Sequence, residues 1–469
     1  MPAFNFSCSR KFFEFFSHKS PASLLGAETG IFKTVTPQKP REIAFRVLRK
    51  RSELGNYVEN LLDSELAGAT ISPRDRALCQ ELVYGVVRWQ AALDWIAGQK
   101  TGPRPQKPAI QTLLRLGLYQ IFFLDRVPDH AAVNETVEMA RHCGCGTQTG
   151  FLNAVLRGCL RERDTLDARI KQLRKDQPWT GWSHPEWLWK RWSARWGAEK
   201  TARLMEWNNS PASACARVNT LKIQADKLVE RWRMEENVEY DFLTRDWTGE
   251  NLVFTLKSHP PLPKMQSFLD GWFYIQDPST LMSVNLLDPK PGDSVLDFCA
   301  APGGKTTFIA QLMNNQGRIV ACDNAVDRIA LLEENCRRLG VTCSQAFNLA
   351  AATATLGADR FDRVLVDAPC SNTGVMRRRV ELRWRIQAVE IQRLRAAQLE
   401  LLGRAAPLVK PGGVLVYSTC SLEPEENTQV TQEFLASRSD FQLETERELF
   451  PPTDGVDGAY AARMKRING

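Results

Sequence analysis

Ser294-Val295-Leu296-Asp297-Phe298-Cys299-Ala300-Ala301-Pro302-Gly303-Gly304-Lys305-Thr306 is the stretch on which the fold turns. Its apolar start reads as a buried strand, and the small and glycine residues that follow read as a tight loop opening a helix. After Pro289 the chain repeats that unit. Strands are predicted at Ser294–Phe298, Arg318–Cys322, Arg363–Asp367 and Gly413–Ser418, with helices at Gly304–Met313, Ala325–Leu339 and Ile386–Leu408. Such alternation predicts a parallel sheet covered on both faces, an α/β Rossmann-like domain over 286–469. Ligands in that architecture bind beyond the carboxyl ends of the strands.

The two glycines let the backbone come close to a ligand, and the helix start offers free N–H groups. Asp323, nineteen residues past Gly304, ends the next predicted strand, where a carboxylate can accept hydrogen bonds from both hydroxyls of a ribose. A bound nucleoside is therefore expected. A dinucleotide site would need G-x-G-x-x-G, which Ala301-Pro302-Gly303-Gly304 does not supply. The phosphate loop of an NTPase is the stronger rival, because Gly304-Lys305-Thr306 matches its tail and Val364–Asp367 imitates its metal-binding strand. Its first glycine would fall at position 299, which is cysteine. A methionine-bearing nucleoside needs no triphosphate wrap, so the loop fits S-adenosylmethionine best.

Two cysteines follow strands directly, in Asp367-Ala368-Pro369-Cys370-Ser371 and Ser418-Thr419-Cys420-Ser421. A single cysteine is more often a small buried hydrophobe than a nucleophile. Two at the ligand-binding edge, beside a nucleoside loop, favour chemistry. Cytosine C5 is too weak a nucleophile to take a methyl group from a sulfonium unaided, and a thiolate added at C6 pushes electron density onto it. A base must then remove the C5 proton, and Asp367 can hold the amino edge and N3 of the ring. Arg377-Arg378-Arg379 follow Cys370 closely, and as a solvated face or as the positive charge that lowers a thiol pKa they are evenly matched. The target base must be single-stranded or flipped to be reached.

From Arg41 to about Leu160 apolar residues recur at helical steps, as in Ala44, Val47, Leu48 and Leu113, Leu116, Leu118, Ile121. Ser72-Pro73 reads as a cap with proline in the first turn. An all-α domain is predicted over 37–165. Ten charges in Arg161–Asp176 suggest a helical or flexible connector. Seven of the thirteen tryptophans crowd into Trp179–Trp207; Trp189, Trp192 and Trp196 sit at helical spacing and read as a packing face more readily than as base-stacking platforms. Ala216–Val218, Leu252–Leu256 and Gly271–Ile275 predict short strands, so 166–285 is read as a linker helix and a small α+β module. Residues 1–36 are read as a disordered tail or the product of a misplaced start codon.

A net charge of +7 and a pI near 8.8 favour a polyanionic partner. Every apolar stretch is cut by a charge before the roughly 20 residues a membrane span needs. Twelve cysteines at unrelated spacings read as reduced cytosolic thiols, and Cys143 and Cys145 lack both the spacing and the second pair of a zinc site. No metal and no membrane are expected, and the chain is read as a cytoplasmic monomer.

Together these residues resemble the bacterial 16S ribosomal RNA cytosine-5 methyltransferases of the Sun/Fmu type. The likeness runs from about Arg41 to the end. It includes Cys299–Thr306, Asp367 through Val375, and Thr419-Cys420-Ser421 with Pro424-Glu425-Glu426-Asn427; Arg217-Val218-Asn219 and Gln276-Asp277-Pro278-Ser279 are similar to the family's stretches leading into its catalytic domain. The helical region is similar to the RNA-binding domain of the antitermination factor NusB. The resemblance implies a NusB-like all-α domain and a class I methyltransferase domain acting on 16S ribosomal RNA, with Cys420 attacking and Cys370 assisting release. It implies cofactor contacts from Cys299, Ala300, Ala301, Pro302, Gly303, Gly304, Lys305, Asp323, Asn348 and Asp367. Two departures stand out. Asn348 replaces the usual Asp that meets the adenine amino group, and Arg379-Val380-Glu381 replaces His-Pro-Asp. An inactive RNA-binding factor that lost its cofactor through Asn348 is the alternative of another class.

Overall fold

Ser72 accepts a hydrogen bond from the Asp75 backbone at 3.1 Å and Pro73 fills the first turn, so the helix Pro73–Arg88 begins where the sequence places a cap. The computed structural model describes residues 39–102, 104, 106–349 and 360–467. The tail read over 1–36 lies outside them. After Asn209 the chain divides into two compact units.

The first unit is helical. At its centre the helix Pro108–Phe123 buries residues on every side, among them Leu113, Leu114, Leu116, Leu118 and Ile121, and packs against Pro40–Leu54, Pro73–Arg88, Gln90–Thr101, Asp129–His142 and Thr149–Arg161. Tyr119 lies so close to Gly85 that a Cβ there would fall 1.9 Å from its ring, which is why that helix position is glycine. The charged stretch forms the helix Arg163–Asp176, which buries Leu166, Ile170 and Leu173. Those three residues at helical spacing suffice to dock it, so residues 166–209, which the sequence grouped with the α+β module as 166–285, cluster with the helical unit. Of the clustered tryptophans, Trp192 is buried and the other six half-buried. Their rings pack on one another, Trp192 on Trp196 and Trp179 on Trp189, with Arg174 over Trp182.

In the second unit a four-stranded antiparallel sheet comes first, ordered β2 (Glu239–Phe242), β3 (Val253–Ser258), β1 (Ala214–Val218), β4 (Phe273–Ile275). The larger sheet has the order β10 (Phe441–Leu449), β11 (Ala459–Arg466), β9 (Val409–Thr419), β8 (Phe361–Asp367), β5 (Ser294–Phe298), β6 (Arg318–Asp323), β7 (Ser344–Asn348). The parallel pairing expected of β5, β6, β8 and β9 is present, and the sheet is mixed because β11, which the sequence did not signal, runs antiparallel to both β9 and β10. Only nine residues separate β10 from β11, too few for the crossover that a parallel pair requires. Helices Gly304–Leu312, Val326–Leu339 and Ala388–Ala405 fall where the sequence places them, within three residues at each end. Strands β5 and β8 are apolar on both faces. Leu296, Phe298, Val364 and Val366 enter one core, and Val295 and Leu365 enter another with Phe308, Ile309 and Leu281. This is why they read as continuous apolar runs. The carboxyl ends of β5, β6, β8 and β9 share one edge, and the site is built there.

Candidate active site

The loop after β5 makes its turn at Cys299, whose φ of 67° is left-handed, and at Gly303, whose φ is 101°. A Cβ on Gly303 would come 2.8 Å from Leu332, so only glycine brings the loop back against the helix Val326–Leu339. Asp323, buried at the end of β6, accepts the backbone N–H of Ala301 at 3.1 Å and of Asn324 at 2.9 Å. Arg328 pairs with Asp323 at 3.3 Å and also donates to the Ala301 carbonyl. Asp323 thus shapes the loop as well as standing where a ribose would be met. Asn348 ends β7 beside it, its Nδ2 donating to the Asn324 carbonyl at 3.1 Å.

Sequence reasoning overlooked the cation beneath this loop. Arg217, fully buried on β1, donates to the Gly304 carbonyl at 2.9 Å, to Gln276 Oε1 at 2.8 Å and to Thr307 Oγ1 at 3.0 Å. Its hydrogen-bond acceptors are all neutral, and burial pulls its pKa down to about 9. Asp297 was also overlooked. It accepts Thr306 Oγ1 at 2.6 Å, and burial pushes its carboxyl up to about 7.

At the other end of the edge Lys305 reaches across from the loop to Asp367, Nζ to Oδ2 at 2.6 Å, while Ser418 Oγ donates to Oδ1 at 2.9 Å. Burial alone would lower the Lys305 pKa; the charge and hydrogen bond of Asp367 outweigh it and raise it. Parallel pairing sets Asp367 opposite Ser418. The residues just beyond therefore meet: Cys370 Sγ and Cys420 Sγ stand 3.2 Å apart. The hydrogen bond shared with Cys420, reinforced by burial, holds the Cys370 thiol well above its ordinary range, so it keeps its proton.

One buried carboxylate ties these two loops together. Glu426 Oε1 accepts Ser371 N at 2.8 Å and Gln398 Nε2 at 3.0 Å; Oε2 accepts Ser421 Oγ at 2.5 Å and also Ser371 Oγ. Burial raises its pKa, opposed by those donors. Asn427 braces the Cys420 loop alone, accepting Thr419 Oγ1 at 2.6 Å and donating to the Ser421 carbonyl at 2.9 Å. Pro424-Glu425-Glu426-Asn427 carried a family likeness without a role, and the contacts supply one.

Of the arginines after Cys370, Arg377 and Arg378 are neither a solvated face nor the charge beside the thiols. Arg378 pairs with Asp457 at 2.5 Å and Asp277 at 2.8 Å, and Arg377 with Asp457 at 3.4 Å. The charge of Cys420 is felt by Lys305, where it adds to the effect of Asp367. Val380 and Glu381 are buried, and Glu381 pairs with Arg385 at 2.8 Å. Among the described residues no group of three or more His, Cys, Asp or Glu is placed to hold a metal ion, and no helix is long and apolar enough to cross a membrane.

Models of three families match the chain: 16S rRNA methyltransferase RsmB/F over 284–465, the NusB family over 38–161, and the RsmF/B-like ferredoxin-like domain over 184–240. The probable ribosomal RNA small subunit methyltransferase B of Bacillus subtilis is 36% identical over 450 residues, covering 91% of this chain and 98% of that protein. The ribosomal RNA small subunit methyltransferase B of Erwinia tasmaniensis is 35% identical over 435 residues, covering 90% and 98%. A methyltransferase homolog protein from Pyrococcus horikoshii, a solved structure, is 33% identical over 58% of this chain and 92% of its own, with a TM-score of 0.51.

Proposed function

The chain belongs to the ribosomal RNA small subunit methyltransferase B family, and on that premise we propose that it methylates C5 of a cytosine in 16S ribosomal RNA through a covalent Cys420 adduct. The observation that carries the reading is the pair of thiols 3.2 Å apart at the ends of neighbouring strands, with the Lys305-bound Asp367 at the root of one of them. The residues present fit S-adenosylmethionine. Gly303 leaves backbone where a Cβ would collide with Leu332 and Gly304 where one would be tight against Tyr274, Asp323 offers a carboxylate at a ribose position, and Asn348 offers an amide for adenine. When bound, that cofactor supplies a methyl group activated on a sulfonium.

Cys420, having lost its proton, forms a bond to C6 of the cytosine, and the electron pair displaced from the C5–C6 double bond makes C5 nucleophilic. Asp367, steered by Lys305 and Ser418, holds the amino edge and N3 of the ring. After C5 has gained its methyl, a base takes the C5 proton, the electron pair re-forms the double bond, and the bond to Cys420 breaks. Cys370, which keeps its proton beside that sulfur, assists release. The NusB-like helical region would hold the RNA through its basic surface, in the cytoplasm.

Purified protein given methyl-labelled S-adenosylmethionine and 16S ribosomal RNA should label the RNA at a cytosine that bisulfite sequencing locates. Cys420→Ala should abolish labelling, and Cys370→Ala should accumulate a protein–RNA adduct that survives denaturing gels. Labelling by Cys420→Ala at the wild-type rate would overturn the mechanism.

A further inference from the structure

We infer that Asn372 holds the Cys420 thiol with its proton in the resting enzyme and must turn away before that sulfur can attack. The inference rests on the reading of Cys420 as the attacking group. Asn372 Nδ2 donates to the Cys370 carbonyl at 2.7 Å, and this fixes the direction of the amide, since reversing it would set two acceptor oxygens face to face. Oδ1 consequently points at Cys420 Sγ, 3.1 Å away. An amide oxygen at that distance accepts from a thiol and repels a thiolate, so the contact favours the protonated form. The backbone suits this role, because Asn372 has a φ of 59°, a left-handed conformation that asparagine and glycine adopt with least strain. Glycine would satisfy the turn but could not touch either cysteine.

The other groups facing Cys420 work both ways. Lys305 interacts with it through its charge and is itself paired with Asp367 at 2.6 Å. Cys370 keeps its proton and can donate it to the Cys420 sulfur. Glu426 lies behind Ser371 and Ser421, and its charge helps hold the neighbouring Cys370 thiol in its protonated form. With the Asn372 oxygen removed, Lys305 remains as a cation whose charge interacts with the sulfur. The Asn372 amide has no basic atom, so the Cys420 proton leaves to solvent, and the S–H bond breaks only as the amide gives way.

The test needs neither RNA nor cofactor. The full-length protein is treated with iodoacetamide, whose reaction forms a carbon–sulfur bond and releases iodide, and alkylation of Cys420 is followed by peptide mass spectrometry from neutral to alkaline pH. Asn372→Gly should react about tenfold faster at neutral pH, its rate midpoint moved down by about one pH unit. Asn372→Asp, of the same shape but charged, should move the midpoint up. If the glycine variant is poorly folded by thermal unfolding, the aspartate variant alone decides. A glycine profile coinciding with wild type, or an aspartate profile moved down, overturns the inference. A wild-type methylation assay run in parallel separates the two failures. Variants that order as expected on a protein unable to methylate RNA leave the thiol control standing and remove the reaction; coinciding profiles on an active enzyme do the reverse.

Discussion

The loop after β5 and the two cysteine loops after β8 and β9 occupy one edge of one sheet, yet they are held in opposite ways. The cofactor loop is fixed from several directions, by Asp323 and Arg328 on its outer side, Arg217 and Gln276 beneath it, and Thr306 on Asp297 within. The cysteine loops converge on a single carboxylate, Glu426, which takes donors from both at once. The loops are also bonded to each other, Leu422 N–H to Thr373 Oγ1 at 2.9 Å and Gly374 N–H to the Cys420 carbonyl at 3.0 Å, so losing the carboxylate leaves buried donors of both unmatched at once. A loop with many supports tolerates the loss of one.

Glu426 is therefore where the comparison breaks most sharply. Glu426→Leu leaves the Ser371 N–H, two serine hydroxyls and the Gln398 amide without their acceptor, and should cost roughly 3–5 kcal/mol in denaturant unfolding. Methyl transfer should fall by at least about 100-fold even in the folded fraction, because two sulfurs set loosely no longer meet one ring. Glu426→Gln should lose less on both counts, since the two hydroxyls can turn to accept from its new NH2. Equal losses would mean that charge and not hydrogen bonding holds the loops.

The cofactor half offers a smaller effect, visible through pH. Burial pushes the Asp297 carboxyl from 3.8 to about 7, so between those values the folded protein holds a proton that the unfolded chain has released. Stability from this group is complete below about 3.8 and lost as pH rises through about 7. Asp297→Asn should remove that decline, a difference of roughly 2–4 kcal/mol at its largest across the window. Asp457, also raised to about 7 by burial, contributes equally to both proteins and cancels. Parallel stability–pH curves for the two proteins would show that Asp297 is charged in the folded state.

What the sequence made legible follows the same division. Strands β5, β6, β8 and β9 could be read because both of their faces are buried and the apolar run is unbroken, and Cys370 and Cys420 because each directly follows such a strand. Strands β2 and β7 lie at sheet edges, where Glu239-Tyr240-Asp241-Phe242 and Ser344-Gln345-Ala346-Phe347-Asn348 carry too few apolar residues to signal. The reversed β11 depends on a pairing that local pattern does not encode. Glu426 and Arg217 were hidden for a different reason: their partners lie 55 and 87 residues away, and a buried charge looks in sequence like any exposed one. Even so, both sat inside motifs that carried the family likeness, which pointed to importance without saying what for.

Arg217 gives the comparison its finest test, since it enters the cofactor half from the smaller sheet. Its guanidinium fixes the first turn of the helix Gly304–Leu312, and it lies over the rings of Tyr274 and Phe308 at 5.5 and 5.0 Å. Arg217→Met keeps most of that packing and removes the hydrogen bonds to Gly304 and Thr307. With Asp323 and Arg328 still in place the loop should survive, loosened, and the Kd for S-adenosylmethionine in a calorimetric titration should rise about 10- to 30-fold, or roughly 1.4–2 kcal/mol. Arg217→Lys, which restores a donor without the fork, should fall between. The RNA affinities of the two variants should not change, because Glu426 still holds the cysteine loops. If those move together with cofactor affinity, the two halves of the edge are one cooperative structure and their separate supports are an appearance of the static contacts.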